Sequence, residues 1–284
     1  MKPLWLRRKI PDQEALQKMR GLLQRYGLNT VCESALCPNR GECFHQGTAT
    51  FLILGRTCTR NCTFCAIPPE ERPPAPDPEE PQRIAEAASE LRLTHVVVTS
   101  VTRDDLEDGG ASHFAKTVRA VKKTESTIVV EVLIPDFQGS FASLKIVADS
   151  GPDIVNHNLE TVPRLYPEVR PQADYRRSLH LLKTVKEIVP GRVTKSGLML
   201  GLGEHRDEVL EVMNDLRNIS CDLLTLGQYL QPSGRHHPVV RYIPPEEFED
   251  LHCAGEKMGF KGIFSAPLVR SSFHAAEVFR NIQY

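Results

Sequence analysis

Apolar residues along this chain keep two rhythms in turn. Short β-branched runs at 95–101, 127–134, 153–159, 193–202 and 222–230 read as buried strands. Between them, apolar positions fall three or four apart: Ile84, Ala87, Ala88 and Leu91, then Phe114, Val118 and Val121, then Leu144, Val147 and Ala148. That spacing puts one face of each intervening helix on a core. Residues 12–27 carry the same spacing in Leu16, Met19, Leu22, Leu23 and Tyr26, with Asp12 placed to cap and Gly27 to stop the helix. A further short run at 51–54 precedes a proline-rich connection at 68–81, which can be neither helix nor inner strand.

The alternation predicts an α/β protein built of βα units. Counting 51–54 first gives six parallel strands, fewer than the eight of a closed TIM barrel, so the expected fold is a partial (βα)6 barrel, with a doubly wound sheet as the alternative. The expected division is an N-terminal extension at 1–48, the partial barrel at 49–235 and a C-terminal extension at 236–284 that closes it. In both architectures ligands bind beyond the carboxyl ends of the strands, so the residues just after each run are the ones that matter.

Composition narrows the class. The 284 residues carry 35 basic and 36 acidic side chains, a net charge near −1, which argues against nucleic-acid binding by excess positive charge. No stretch reads as a signal peptide or a membrane span, so a cytoplasmic location without membrane contact is expected. Eight cysteines in a reducing compartment point to metal or redox chemistry rather than to disulfides.

Six of the eight form two triplets. Cys58-Thr-Arg-Asn-Cys62-Thr-Phe-Cys65 follows the first strand after three intervening residues, which places it at the mouth of the barrel. Three thiolates on one tight loop hold three irons of a four-iron cube and leave the fourth open to a substrate. A structural zinc site wants four protein ligands, and this loop has three with no histidine beside them. Cys32-Glu-Ser-Ala-Leu-Cys37-Pro-Asn-Arg-Gly-Glu-Cys43 lies upstream and again leaves one iron without a ligand. Cys221 and Cys253 stand alone and are expected to be buried apolar residues.

The Cys58–Cys65 triplet after the first strand of a βα array resembles the radical S-adenosylmethionine superfamily. The two triplets together resemble the lipoyl synthase family, over residues 31 to about 275. Other stretches carry the likeness: Ala49-Thr-Phe-Leu-Ile-Leu-Gly, Arg103-Asp-Asp-Leu-Glu-Asp-Gly-Gly-Ala, Asn156-His-Asn-Leu-Glu-Thr-Val, Lys195-Ser-Gly-Leu-Met-Leu-Gly-Leu-Gly-Glu, Gln228-Tyr-Leu-Gln-Pro, His237-Pro-Val and Arg270-Ser-Ser-Phe-His-Ala. The departure is Phe273, where the family usually has tyrosine.

The resemblance implies two [4Fe-4S] clusters and S-adenosylmethionine as cofactors. Cys58, Cys62 and Cys65 would hold the cluster that cleaves S-adenosylmethionine to a 5′-deoxyadenosyl radical. Cys32, Cys37 and Cys43 would hold an auxiliary cluster, and the resemblance assigns its fourth iron to Ser272. Read from the residues alone, Ser271 and Ser272 are expected to cap a helix over 274–282; the resemblance reverses that reading. The implied reaction is insertion of sulfur, donated by the auxiliary cluster, at C6 and C8 of a protein-bound octanoyl group to give the lipoyl cofactor. The implied partners are octanoylated carriers (lipoyl domains of 2-oxoacid dehydrogenases, the glycine cleavage H protein), an electron donor such as ferredoxin or flavodoxin, and an iron–sulfur carrier. The rivals are a radical enzyme of the biotin synthase or methylthiotransferase kind, or a non-catalytic iron–sulfur carrier.

Lesser candidates surround the mouth. Phe64 is either core or a neighbour of the adenine, and Asn158 and Glu160 follow the fourth strand where ribose hydroxyls would lie. Gly201, Gly203 and Tyr229 end the fifth and sixth strands, where glycine serves either a turn or close approach of backbone to the adenosine. His236 and His237, with Arg235 and Arg241 nearby, are expected either to be solvated or face substrate, or to bind a metal.

Overall fold

A computed structural model describes residues 3–6, 13–34, 37, 39 and 50–272. One eight-stranded sheet runs in strict chain order: β1 (Asn29–Thr30), β2 (Thr50–Ile53), β3 (His95–Ser100), β4 (Val129–Leu133), β5 (Ile154–Asn156), β6 (Val193–Leu200), β7 (Leu223–Gln228) and β8 (Gly262–Ser265). β1 pairs antiparallel with β2 and every later pairing is parallel. A doubly wound sheet reverses its strand order at a switch point. This sheet never reverses, so the fold is the partial barrel.

Among the described residues the α-helices are α1 (Gln13–Arg25), α2 (Val31–Ser34), α3 (Glu80–Glu90), α4 (Ala111–Thr124), α5 (Phe141–Asp149), α6 (Tyr166–Val169), α7 (Tyr175–Ile188), α8 (Arg206–Asn218) and α9 (Pro245–Lys257). The positions three and four apart do face the core: Ile84, Ala87 and Ala88 of α3, Phe114, Val118 and Val121 of α4, and Leu144 and Val147 of α5 share one cluster with Val96, Val98, Val130 and Val132 of the strands. Leu16, Met19, Leu22 and Leu23 of α1 join the same cluster.

Three local expectations are corrected. The sheet has seven parallel strands, because β8 within the 236–284 segment adds to β7. Pro81 belongs to the first turn of α3, where its missing N–H leaves no helical bond unmade. Cys221 is buried as expected, but Cys253 lies exposed on α9.

The strands' inward face is partly polar. Val130 and Val132 point to the helices, so Glu131 points into the barrel. Lys195 of β6 meets it with Nζ 3.0 and 3.2 Å from its two oxygens, both side chains wholly buried, and Asn156 of β5 donates to it at 2.9 Å. Burial alone would raise the Glu131 carboxyl. Lys195, with His95 and Asn156, outweighs burial and holds it down at about 2. The quartet thus ties β3, β4, β5 and β6 together beneath the mouth. Among the described residues no helix is long and apolar enough to cross a membrane.

Candidate active site

β2 is followed by Leu54, whose φ of 69° lies in the left-handed region that leucine avoids. Two buried side chains hold it there: Glu80 accepts its N–H at 2.9 Å, and Arg103 Nη1 donates to its carbonyl at 3.1 Å. The chain then leaves the barrel mouth as the cysteine loop. Cys58 lies beside the proline segment, donating its N–H to the Pro68 carbonyl at 3.0 Å and accepting from Glu70 N–H at 2.8 Å. The Cys65 N–H donates to the Cys62 carbonyl at 3.0 Å, which tightens the last turn. Thr63 is pinned to Val169 and, through its carbonyl, to the His237 N–H at 2.9 Å.

All three cysteines of this loop are free and half-buried. Their surroundings suit a thiolate–iron site. Cys58 Sγ accepts backbone N–H groups from Thr102 at 3.3 Å and Arg60 at 3.4 Å. Burial pushes Cys65 up to about 12 and also raises Cys62, where the Arg170 cation opposes it. A metal cation bound among such thiols would favour their thiolate form. Among the described residues no three His, Cys, Asp or Glu side chains converge where a single ion would sit. A cube spreads its thiolates over separate irons.

The remaining candidates line the same mouth. Asn158 is mostly buried; its Nδ2 donates to Ser271 Oγ at 2.7 Å and to Glu160 Oε1 at 3.1 Å, while its Oδ1 is buried with no hydrogen-bond partner. Glu160 has φ 66°, and burial raises its carboxyl above the ordinary range. Phe64 is half-buried against the core. Tyr229 is buried near Cys65, with its hydroxyl committed to the His237 carbonyl at 2.7 Å. Gly201 has φ 99°, and a Cβ there would meet Gln228 Nε2 at 2.2 Å and the Arg241 carbonyl at 2.3 Å, so its glycine serves loop packing. His237 is buried, its Nε2 donating to the Leu202 carbonyl at 2.9 Å, which corrects the solvated reading for this residue.

The first triplet approaches the same strand from the other side. Cys32 is buried on α2 and its thiol, pushed by burial up to about 11, sits against the Thr50 backbone; Cys37 donates its N–H to the Cys32 carbonyl at 3.1 Å. Thr50 Oγ1 donates to Ser272 Oγ at 2.8 Å, and Asn39 Nδ2 donates to the Leu268 carbonyl at 2.7 Å. Cys43 and Phe273, with the helix that Ser271 or Ser272 would cap, lie outside the described residues.

Residue-by-residue reading missed Thr50, Arg60 and Arg170. Arg170 is buried, with Nη1 donating to the Asn158 and Leu159 carbonyls at 2.9 Å each. A threonine at a strand start and two loop arginines carry no local signal; only the fold gives them partners.

The Radical SAM superfamily model matches residues 52–216, and the chain belongs to that superfamily. In fold it is similar to Streptococcus suis SuiB bound to S-adenosylmethionine, with TM-score 0.59 and 14% identity over 91% of this chain and 57% of that one, so it spans little more than half of SuiB. It is also similar to methylornithine synthase (PylB), with TM-score 0.51 and 14% identity, over 82% of this chain and 80% of that one. Within the superfamily the chain belongs to the lipoyl synthases. It is 58% identical over 275 residues to the lipoyl synthase of Caldanaerobacter subterraneus subsp. tengcongensis, covering 96% of this chain and 95% of that one. It is 55% identical over 275 residues to that of Syntrophotalea carbinolica, covering 96% and 89%.

Proposed function

We propose that this enzyme inserts two sulfur atoms, at C6 and C8, into an octanoyl group carried on a protein, using S-adenosylmethionine, and so makes the lipoyl cofactor. The observation that carries the reading is the meeting of two cysteine sets at one strand: Cys58 follows β2, while Cys32 and Ser272 both lie against Thr50 at its start. Cys58, Cys62 and Cys65 hold one [4Fe-4S] cluster, and Cys32, Cys37, Cys43 and Ser272 hold a second. When bound, the first supplies the electron that cleaves S-adenosylmethionine to methionine and a 5′-deoxyadenosyl radical, a species reactive enough for an unactivated C–H bond, and the second is consumed as the sulfur donor.

The chain's own residues position and enclose. Phe64 and Tyr229 wall the site beside Cys65, while Asn158, through its unpartnered Oδ1, and Glu160 are placed for ribose hydroxyls. The segment leading to Ser272 is held by Thr50 and Asn158, and its role there would be to keep water from the space beside it. A serine oxygen holds iron less firmly than a thiolate, so it suits a site that must release it. The segments 1–48 and 236–284 bring the second set to the barrel. The carriers are lipoyl domains of 2-oxoacid dehydrogenases or the glycine cleavage H protein, the reductant is a ferredoxin or flavodoxin, and an iron–sulfur carrier restores the consumed cluster, all in the cytoplasm.

The test is anaerobic incubation of reconstituted protein with S-adenosylmethionine, a reductant and an octanoyl-lysyl carrier peptide, read by mass spectrometry. A product with two added sulfurs is expected. 5′-Deoxyadenosine without any thiolated product would leave a radical enzyme of another kind, and neither product would leave an iron–sulfur carrier.

A further inference from the structure

Arg60, inside the Cys58–Cys65 loop, is 6% exposed. Its guanidinium forks onto Asp104, Nε to Oδ2 at 2.7 Å and Nη2 to Oδ1 at 2.9 Å, and Nη2 also reaches Asp136 Oδ1 at 2.6 Å. Asp104 follows β3 and Asp136 follows β4, so one side chain ties the loop to two strand ends. Asp136 is shared with Arg177 at 3.2 Å. Two cations and two carboxylates leave this cluster without net charge, which offsets the pull of the Arg60 cation on the Cys62 thiol. The cluster's geometric effect is not small.

Thr59 repeats the tie. Its N–H and Oγ1 donate to the Thr102 carbonyl at 3.0 and 3.1 Å, and its Oγ1 accepts the Asp104 N–H at 3.0 Å. The loop and the segment after β3 are therefore stapled twice, through Thr59 and through the Arg60–Asp104 fork. What the staples fix is the pair of N–H groups on Cys58 Sγ, which belong to Arg60 in the loop and Thr102 in the facing segment. A thiolate that accepts N–H bonds donates less charge to its metal, and hydrogen bonds to ligand sulfur are a principal lever on an iron–sulfur potential.

We infer that Thr59, Arg60 and Asp104 are positioning residues that hold two backbone N–H donors on the Cys58 sulfur and thereby set how readily the cluster on that loop accepts its electron. This rests on the cluster assignment proposed above. The test is a potentiometric titration of the reconstituted full chain, followed by electron paramagnetic resonance with and without S-adenosylmethionine. A reduced signal that changes on adding S-adenosylmethionine identifies the cluster in the unsubstituted protein; its absence there would overturn the assignment itself, separately from the inference.

Two substitutions then decide. Thr59→Val changes no charge and removes the two Oγ1 bonds, to the Thr102 carbonyl and from the Asp104 N–H, while the backbone bond stays; Asp104→Ala removes the fork together with one negative charge. Positioning predicts that both make the cluster harder to reduce, by about tenfold in the one-electron equilibrium, or about 59 mV, at unchanged iron content. A charge effect predicts no shift for Thr59→Val and an easier reduction for Asp104→Ala. Either of those results overturns the inference, and Thr59→Val alone decides if Asp104→Ala does not retain iron.

Discussion

Ser272 is where a single atom separates two roles. Its oxygen accepts a hydrogen bond from Thr50 at 2.8 Å. If that bond were its whole contribution, alanine would cost about 1 kcal/mol of stability and nothing else. As the labile ligand of the auxiliary cluster, its loss is expected to lower iron content or to cut sulfur insertion per 5′-deoxyadenosine by tenfold or more. Thr50→Val is the control, because it removes the same hydrogen bond and leaves the serine oxygen in place; insertion should survive it. Ser272→Cys should keep the iron and slow sulfur release, since a thiolate binds iron more firmly. Equal insertion in Ser272→Ala and Thr50→Val, with iron intact, would return Ser272 to a structural role. The neighbouring Ser271 faces differently, accepting from Asn158 at 2.7 Å, so the two adjacent serines address the two halves of the site.

At the scale of elements, the strand that sequence reading missed is the one that delivers this serine. β8 spans four residues, Gly262–Ser265, of which only Ile263 is buried, too short and too irregular to show a period. The longer runs were legible because β3 and β4 are rich in β-branched residues and β6 and β7 carry apolar residues over six or more positions, and the Cys58, Cys62, Cys65 spacing was legible because its three cysteines are local. Arg60–Asp136 and Thr50–Ser272 span 76 and 222 residues, and nothing nearby in the chain marks either end. From β8 the chain runs back over β7: Gln228 N–H donates to the Pro267 carbonyl at 3.1 Å, and a Cβ on Gly227 would stand 2.1 Å from the Val269 carbonyl oxygen. That obstacle is backbone and cannot rotate away. Gly227→Ala is therefore expected to lift the 266–272 segment, cost about 1–3 kcal/mol by overpacking, and uncouple the reaction. The ratio of thiolated product to 5′-deoxyadenosine should fall at least tenfold while adenosyl cleavage continues. An unchanged ratio would mean that Ser272 is held by contacts other than the strap over β7.

For the molecule as a whole, the barrel holds the two cysteine sets apart by different means. The radical loop springs from the carboxyl end of β2 and is braced by residues after β3 and β4, and further by Val169, Gln172 and His237. The auxiliary set proposed above would be assembled from chain ends, Cys32 and Cys37 from before the barrel and Ser272 from after it; Asn39 binds Leu268 across 229 residues. Because the radical loop owes no hydrogen bond in this bracing to the auxiliary set, loss of the second cluster should leave the first working. Replacing Cys32, Cys37 and Cys43 together by alanine is expected to halve the iron from about eight per chain, as two four-iron cubes require, and to preserve 5′-deoxyadenosine formation while abolishing sulfur insertion. The reciprocal triple substitution of Cys58, Cys62 and Cys65 should also halve the iron but abolish adenosyl cleavage, and with it everything downstream. The asymmetry between the two variants is the measurement, made by iron analysis and product quantification on the same preparations. Thiolated product from the Cys32, Cys37, Cys43 variant would show that the sulfur comes from elsewhere. Loss of adenosyl cleavage in that variant would show instead that the chain ends hold the radical loop in shape, against the independence that its bracing implies.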